Sequence, residues 1–271
     1  MKQKIALAQC TSFYEEQKNL DKAEIYIKSA KNQGAELIVF PEYFMTYYPV
    51  KGKSHVKKAQ SVTGAFATAM GQLAQYYGIW VVFGMNEAAE NKAAQKSYNT
   101  ILVMDDEGRI QGKYQKTHLF DAFHWKESKD TLPGKELFSP IESPVGIIGI
   151  GVCYDLRFPE LARNAALHGA KVMLYPSAWV KGDGKFRQWK ALLQARAIEN
   201  GCFVLGCCHY SKEHYMGRSL AISPTGEILK EGKEQEELIL CEIDLAEEEK
   251  IRTEVPVLKN RRADLYCSPA K

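Results

Sequence analysis

The chain has 271 residues, 45% hydrophobic and 25% charged, the make-up of a globular protein with ample apolar material for a core. Its formal charge of +3 is small for this length, and basic residues are interspersed with acidic ones, so nucleic acid is not an expected partner. No apolar run approaches the roughly 20 residues of a membrane span, so no membrane partner is expected, and the seven irregularly spaced cysteines suit free thiols in a reducing, cytoplasmic setting.

MKQKIALAQC has the outline of a lipoprotein signal, but its apolar stretch is only Ile5 to Ala8 and bulky Gln9 precedes the cysteine, so an edge-like first strand ending at Cys10 is expected. A helix is predicted over Asn19 to Lys31, from apolar residues three and four apart, with Gly34 placed to end it. The strand Leu37 to Phe40 follows, stopped by Pro41, with Glu42 just beyond. An amphipathic helix from Gly64 to Tyr77 leads through Gly78 into IWVVFGMN. A hairpin, SYNTILVMDDEGRIQGKYQK, then turns at Asp-Glu-Gly and delivers Lys116 at its end.

Past a connector near Pro133 to Pro144 the same order returns. GIIGIGVC matches KIALAQC, and a helix over Pro159 to Leu167 leads into HGAKVMLYPS, which echoes QGAELIVFPE. A helix over Lys190 to Asn200 leads through Gly201 into CFVLGCCH, and MGRSLAISPTGEILKEG repeats the hairpin. Two such halves predict an α/β fold, a four-layer α-β-β-α sandwich of paired sheets with helices outside, formed by residues 1–271 as one domain. Two separate α/β domains are the alternative, and the short SPIESPVG connector argues against them.

Free cysteines are usually buried packing residues, the reading that fits Cys10, Cys202, Cys207, Cys208 and Cys241, while Cys267 lies in the tail. Cys207, Cys208 and His209 together suggest soft metal ligands, but strand alternation sends neighbouring side chains to opposite faces, so no metal is expected. Cys153 differs because a small, apolar strand ends on it and the chain then turns before the helix at Pro159. A thiol at a strand's carboxyl end, beside the N–H groups of a turn, can become a nucleophile with an oxyanion site. Glu42 and Lys116 occupy comparable strand ends, where an ordinary exposed side chain is the plain account of each alone. Together with Cys153 they supply base, cation and nucleophile. His118 or His209 as the base of a cysteine–histidine dyad is the competing reading.

VFPEYF, KYQKTHLF and GVCYDLRFPE, in this order, resemble the three signature segments of the nitrilase superfamily of carbon–nitrogen hydrolases. The resemblance continues through KESKDTLPG, HGAKVMLYPSAW, LLQARAIENGCFV, GRSLAISPTGEIL and IRTEVPVLKNRRADLY, nearly the whole chain. It implies Glu42 as general base, Lys116 as oxyanion-stabilising cation and proton relay, and Cys153 as nucleophile. Glu127 would orient Lys116 or the substrate, and the backbone N–H of Tyr154 would complete the oxyanion hole. It also implies the α-β-β-α sandwich, a homodimer or higher homo-oligomer, a small-molecule amide substrate, and no metal or organic cofactor. A degenerate relative serving as a binding or assembly module is the reading from another class, and retention of all three residues argues against it.

Length and CYDLRFPE resemble the short amidase branch, and PEYF with PVLKNRRADLY resembles omega-amidases, acting on 2-oxo-dicarboxylic acid monoamides such as 2-oxoglutaramate; deaminated-glutathione amidases are the alternative. Arg157 is a candidate contact for the substrate carboxylate, although an ion pair with Asp155 or Glu160 is the favoured role for it. Tyr43, Tyr47, Tyr48, Phe120 and Trp179 are expected in the pocket wall, the core or a dimer interface. Two departures bear on substrate: GKFRQWK carries Gln188 where many relatives have histidine, and PEYFMTYYPVKGKSHVKK is unusually basic for a tight pocket rim.

Overall fold

The repeat in the sequence is a repeat of structure in the computed structural model, which describes residues 2–47, 54–90 and 95–266. The first half runs β1 (Lys2–Gln9), α1 (Glu16–Asn32), β2 (Leu37–Val39), α2 (Ala65–Tyr77), β3 (Trp80–Ala88), β4 (Ser97–Met104) and β5 (Ile110–Gln115). A connecting segment holds the short strands β6 (Asp121–Ala122), β7 (Trp125–Lys126) and β8 (Thr131–Leu132). The second half runs β9 (Ile148–Ile150), α3 (Pro159–Leu167), β10 (Val172–Ser177), α4 (Lys185–Asn200), β11 (Phe203–Cys208), β12 (Leu220–Ile222) and β13 (Ile228–Glu231). The chain continues through β14 (Glu237–Asp244), α5 (Leu245–Glu254) and α6 (Ala263–Tyr266).

Each half builds its sheet in chain order, β1-β2-β3-β4-β5 and β9-β10-β11-β12-β13. In both, the first three strands are parallel and the last two antiparallel. Period-two alternation sorts the apolar side chains by face. Ile5, Leu7, Leu37, Val39, Val82, Ile101 and Val103 join the core shared with the second sheet. Their neighbours Ala6, Ala8, Ile38, Phe40, Val81, Phe83, Leu102 and Met104 pack instead with Ala23, Ile27, Phe66 and Met70 of α1 and α2. The thiol of Cys207 on β11 donates to the Val39 carbonyl at 3.1 Å, a direct contact between the sheets. The layers are therefore helices, sheet, sheet, helices, as the repeat predicts.

The run of glycines before Cys153 has a packing cause. A Cβ on Gly149 would sit 2.5 Å from Met173 Sδ and 3.0 Å from Ala165 Cβ, so the bare backbone of β9 lets α3 lie close. Two expectations need correction. β1 is not an edge strand, because β14 returns antiparallel along its whole length, pairing Lys2 with Asp244 through Gln9 with Glu237. The helix expected from Lys190 begins five residues earlier, since Gly184 in the left-handed region (φ 70°) starts it and Trp189, fully buried, anchors that first turn.

Candidate active site

The carboxyl ends of β2, β5, β9 and β10 meet at one end of the sandwich, the position at which α/β folds present loop chemistry. They enclose a cavity of about 380 Å³ lined by Glu42, Lys116, Glu127, Cys153 and Ala178, with Tyr43, Phe120, Tyr154 and Trp179 among its walls. Pro41 ends β2, and Tyr43 adopts a left-handed backbone (φ 54°) that turns Glu42 inward to 2% exposure. Gly84 permits this turn: a Cβ there would lie 2.5 Å from the Tyr43 nitrogen and 2.8 Å from the Pro41 oxygen.

Glu42 Oε1 accepts from Lys116 Nζ at 3.0 Å and from Asn99 Nδ2 at 2.7 Å, while Oε2 accepts from the Ala178 N–H at 2.8 Å. Lys116 Nζ also donates to Glu127 Oε2 at 2.9 Å and Oε1 at 3.2 Å. Glu127, brought in by a 3-10 turn at Glu127–Lys129, accepts further from Tyr43 Oη at 2.9 Å, Asn99 Nδ2 at 3.2 Å and the Phe120 N–H at 2.7 Å. Burial alone would discharge this lysine, but Glu127 and then Glu42 hold it well above the usual range. Burial would likewise raise Glu127; Lys116 and the Phe120 N–H outweigh it and keep that carboxyl low.

Cys153 follows β9 and Val152 with φ 45°, a strained conformation for a non-glycine residue, and opens the 3-10 turn Cys153–Arg157. Asp155 fixes the turn. Its Oδ2 accepts from the Val152 N–H at 2.8 Å and from Tyr114 Oη at 2.9 Å, and its Oδ1 lies 2.7 Å from His118 Nδ1. The Cys153 side chain is half-buried against the cavity. Burial and then the Glu42 carboxylate push the thiol well above its ordinary value, while Lys116 and the Ala178 N–H pull the other way. The resting sulfur therefore keeps its proton beside a carboxylate that can take it.

Glu42, Lys116, Glu127, Cys153, Tyr154 and Arg157, all singled out from sequence, line the same cavity. Arg157 does not pair with Asp155, whose oxygens face the turn and His118; its Nη2 donates to Gln188 Oε1 at 2.7 Å and its guanidinium lies 5.1 Å from the centre of the Trp179 ring. His118 stacks on Phe158 at 3.8 Å, and His209 places its two nitrogens on the carbonyls of Cys10 and Glu42, so neither imidazole lines the cavity. Cys207 and Cys208 direct their thiols apart, to the carbonyls of Val39 and Trp179. Among the described residues no group of three or more His, Cys, Asp or Glu is placed to hold a metal ion. Of the aromatic residues, Tyr43, Phe120 and Trp179 line the cavity, Tyr47 packs on Tyr215 at 5.8 Å, and Tyr48 lies outside the described residues, as do residues 48–53 of the basic loop. Sequence reasoning missed Asn99, Ala178, Phe123, Trp125 and Lys185. Asn99 gave no separate signal, because it sits in the polar first half of SYNTILVM between Ser97 and Thr100.

Residues 4–253 match the family profile described as carbon-nitrogen hydrolase. The chain is 33% identical over 273 residues to the deaminated glutathione amidase of Bos taurus, covering 97% of this chain and 83% of that protein. It is 31% identical over 262 residues to the omega-amidase NIT2 of Homo sapiens, covering 93% and 92%. The C. elegans NitFhit structure superposes with a TM-score of 0.90 at 30% identity, over 98% of this chain, which spans only 66% of that longer one. A glutamate-to-glutamine mutant of the amidase from Nesterenkonia sp. AN1, with the acetamide moiety of fluoroacetamide added covalently at its active-site cysteine, superposes with a TM-score of 0.83 at 26% identity, over 97% of this chain and 95% of that one.

Proposed function

The chain belongs to the carbon–nitrogen hydrolase family and is a hydrolase of carbon–nitrogen bonds other than peptide bonds; from that premise we propose that Cys153, Glu42 and Lys116 carry the reaction. Glu42 takes the thiol proton as Cys153 Sγ attacks the amide carbonyl carbon, and the oxyanion that forms is met by Lys116 Nζ and the Tyr154 N–H. Collapse breaks the carbon–nitrogen bond, the proton held by Glu42 passes to the leaving nitrogen, and ammonia departs from an acyl thioester. Glu42 then draws a proton from water, which attacks the thioester and releases the carboxylic acid and the thiol. Glu127 keeps Lys116 charged and aimed.

The observation that carries this reading is the setting of Glu42: three donors, Lys116 at 3.0 Å, Asn99 at 2.7 Å and the Ala178 N–H at 2.8 Å, fix its carboxylate in the cavity that Cys153 also lines. We take the substrate to be a small carboxamide with a carboxylate at its far end, a 2-oxo-dicarboxylic acid monoamide as an omega-amidase would use, with a deaminated-glutathione-type amide as the second reading. The cavity volume of about 380 Å³ suits a ligand of that size and Arg157 in its wall suits the carboxylate. We also take residues 1–271 as one hydrolase domain that works in the cytoplasm as a homodimer. Leu167 and Ile198, exposed on α3 and α4, offer apolar surface that a second copy could cover, and sedimentation of the purified chain would read the oligomeric state.

An ammonia-release screen across omega-monoamides, deaminated glutathione, simple aliphatic amides, carbamoyl amines and nitriles tests the assignment. C153A should lower turnover of the best amide by at least about a thousandfold with the circular dichroism of the wild type. E42Q should prevent formation of the acyl-cysteine adduct seen by mass spectrometry in rapidly quenched wild type. Substantial amidase activity in C153A, or undiminished acylation in E42Q, would overturn it.

A further inference from the structure

The cavity is electrically polarised. Its two carboxylates, Glu42 and Glu127, both sit on Lys116 at the floor, whereas Arg157, Lys181 and Lys185 line the remainder. Lys181 spends its ammonium on the Lys212 carbonyl at 2.9 Å. Arg157 and Lys185 have no carboxylate partner among the described residues. Gln188 accepts from Arg157 Nη2 at 2.7 Å, holding the guanidinium by a neutral group that leaves its charge intact. The same indole connects the two cations, since the Arg157 guanidinium lies 5.1 Å from the Trp179 ring and Trp179 Nε1 donates to the Lys185 carbonyl at 3.1 Å. Lys185 itself, carried by the first turn of α4, places Nζ 4.0 Å from the centre of the Phe123 ring. Burial and the nearby Arg157 both disfavour its charged form. Two like charges in an aromatic-walled mouth repel, and an anion seated between them relieves that cost.

We propose that Arg157, oriented by Gln188, and Lys185 form a carboxylate clamp, and that Lys185 and Gln188 are specificity-determining residues selecting amides with a carboxylate remote from the scissile bond. This rests on the hydrolase reading above. A planar guanidinium with one edge held by Gln188 offers its other edge to a carboxylate, and the lysine ammonium supplies a second, less directional contact. A glutamate in place of Gln188 would neutralise Arg157 and repel the substrate; the glutamine does neither.

The test compares glutaramate with pentanamide, amides of equal chain length with and without the terminal carboxylate, in wild type, K185M, K185R and Q188E. The kcat/KM ratio of glutaramate to pentanamide should fall at least tenfold in K185M, mainly through KM for glutaramate, should stay within threefold of wild type in K185R, and should fall further in Q188E. A second readout needs no turnover: glutarate should protect Cys153 from alkylation by iodoacetamide in wild type, with at least tenfold weaker protection in K185M and Q188E. An unmoved ratio, or protection by glutarate that is lacking in wild type or equal in all four proteins, would overturn the clamp. Protection that depends on Lys185 without hydrolysis of any amide would leave the clamp standing and remove the hydrolase reading instead.

Discussion

One ammonium at Lys116 serves two carboxylates, Glu42 and Glu127, so the buried cluster carries a negative charge that the lysine does not balance. Neutral donors spread that charge: Tyr43 Oη, the N–H groups of Phe120 and Ala178, and Asn99 Nδ2, which reaches both carboxylates. Asn99 is thus a positioning residue, and its two simplest substitutions should separate geometry from charge. N99A removes the shared donor and should lower kcat/KM about tenfold. N99D sets a third carboxylate beside the pair, raises the affinity of the cluster for a proton, and should lower kcat/KM at neutral pH by about a hundredfold while moving the acid limb of the pH profile upward. Steady-state profiles of both variants would check this, and coincident acid limbs for N99D and wild type would exclude the charge argument. Glu42, Lys116 and Cys153 were legible in sequence because each stands where a strand is visibly broken. Asn99 was not, because its role follows from register: it lies opposite Asn86 on β3, and the Lys116 N–H donates to its carbonyl at 2.9 Å.

At the scale of elements, the loop that carries Glu42 is shaped by a strand two elements away in the chain. β3 passes beneath Pro41, Glu42 and Tyr43 so closely that a Cβ on Gly84 would meet three backbone atoms at 2.5, 2.8 and 2.9 Å. Backbone cannot yield as a flexible side chain does, so G84A should displace the loop, costing about 1–3 kcal/mol in stability and lowering kcat at least tenfold as Glu42 leaves its donors. Thermal melts and steady-state rates would read both effects, and a variant with wild-type kcat would show that the loop is held by other contacts. Helices and strands with clear period and a glycine stop were readable in advance, as Gly34 (φ 81°) after α1 and Gly169 (φ 94°) after α3 illustrate. The segment from Thr117 to Ile147 was not. Its strands β6, β7 and β8 are two residues each, too short to show any period, yet this segment supplies Glu127, Phe120 and Phe123 to the cavity.

For the whole molecule, the sequence echo disclosed two halves but not what ties them. One tie is β14, which crosses from the second half to pair with β1. Another is His209, which follows β11 in the second sheet and reaches the carbonyls of Cys10 and Glu42, beyond β1 and β2 of the first, at 2.9 and 2.5 Å. Neither was legible, because β14 joins the first sheet by a pairing between the two ends of the chain and His209 depends on how the two sheets face each other. The buried imidazole also makes the assembly sensitive to acid. Burial pushes His209 down to about 4; the Cys10 and Glu42 carbonyls, which could both accept only from the protonated ring, act in the opposite sense. In the unfolded chain it regains its ordinary value near 6.5. The unfolded state therefore binds the proton first as pH falls, and stability declines between about pH 6.5 and 4, by up to about 3 kcal/mol in total. Glu127, held low in the fold, extends the loss below the usual carboxylate range, since the unfolded chain protonates there before the native one. H209Q keeps an amide donor for one carbonyl but cannot titrate. Its melting temperature should be lower than wild type at pH 7.5 and should change less between pH 7.5 and 5, as differential scanning calorimetry would record. Equal slopes in the two proteins would assign the acid sensitivity to other groups and leave His209 a purely geometric tie between the sheets.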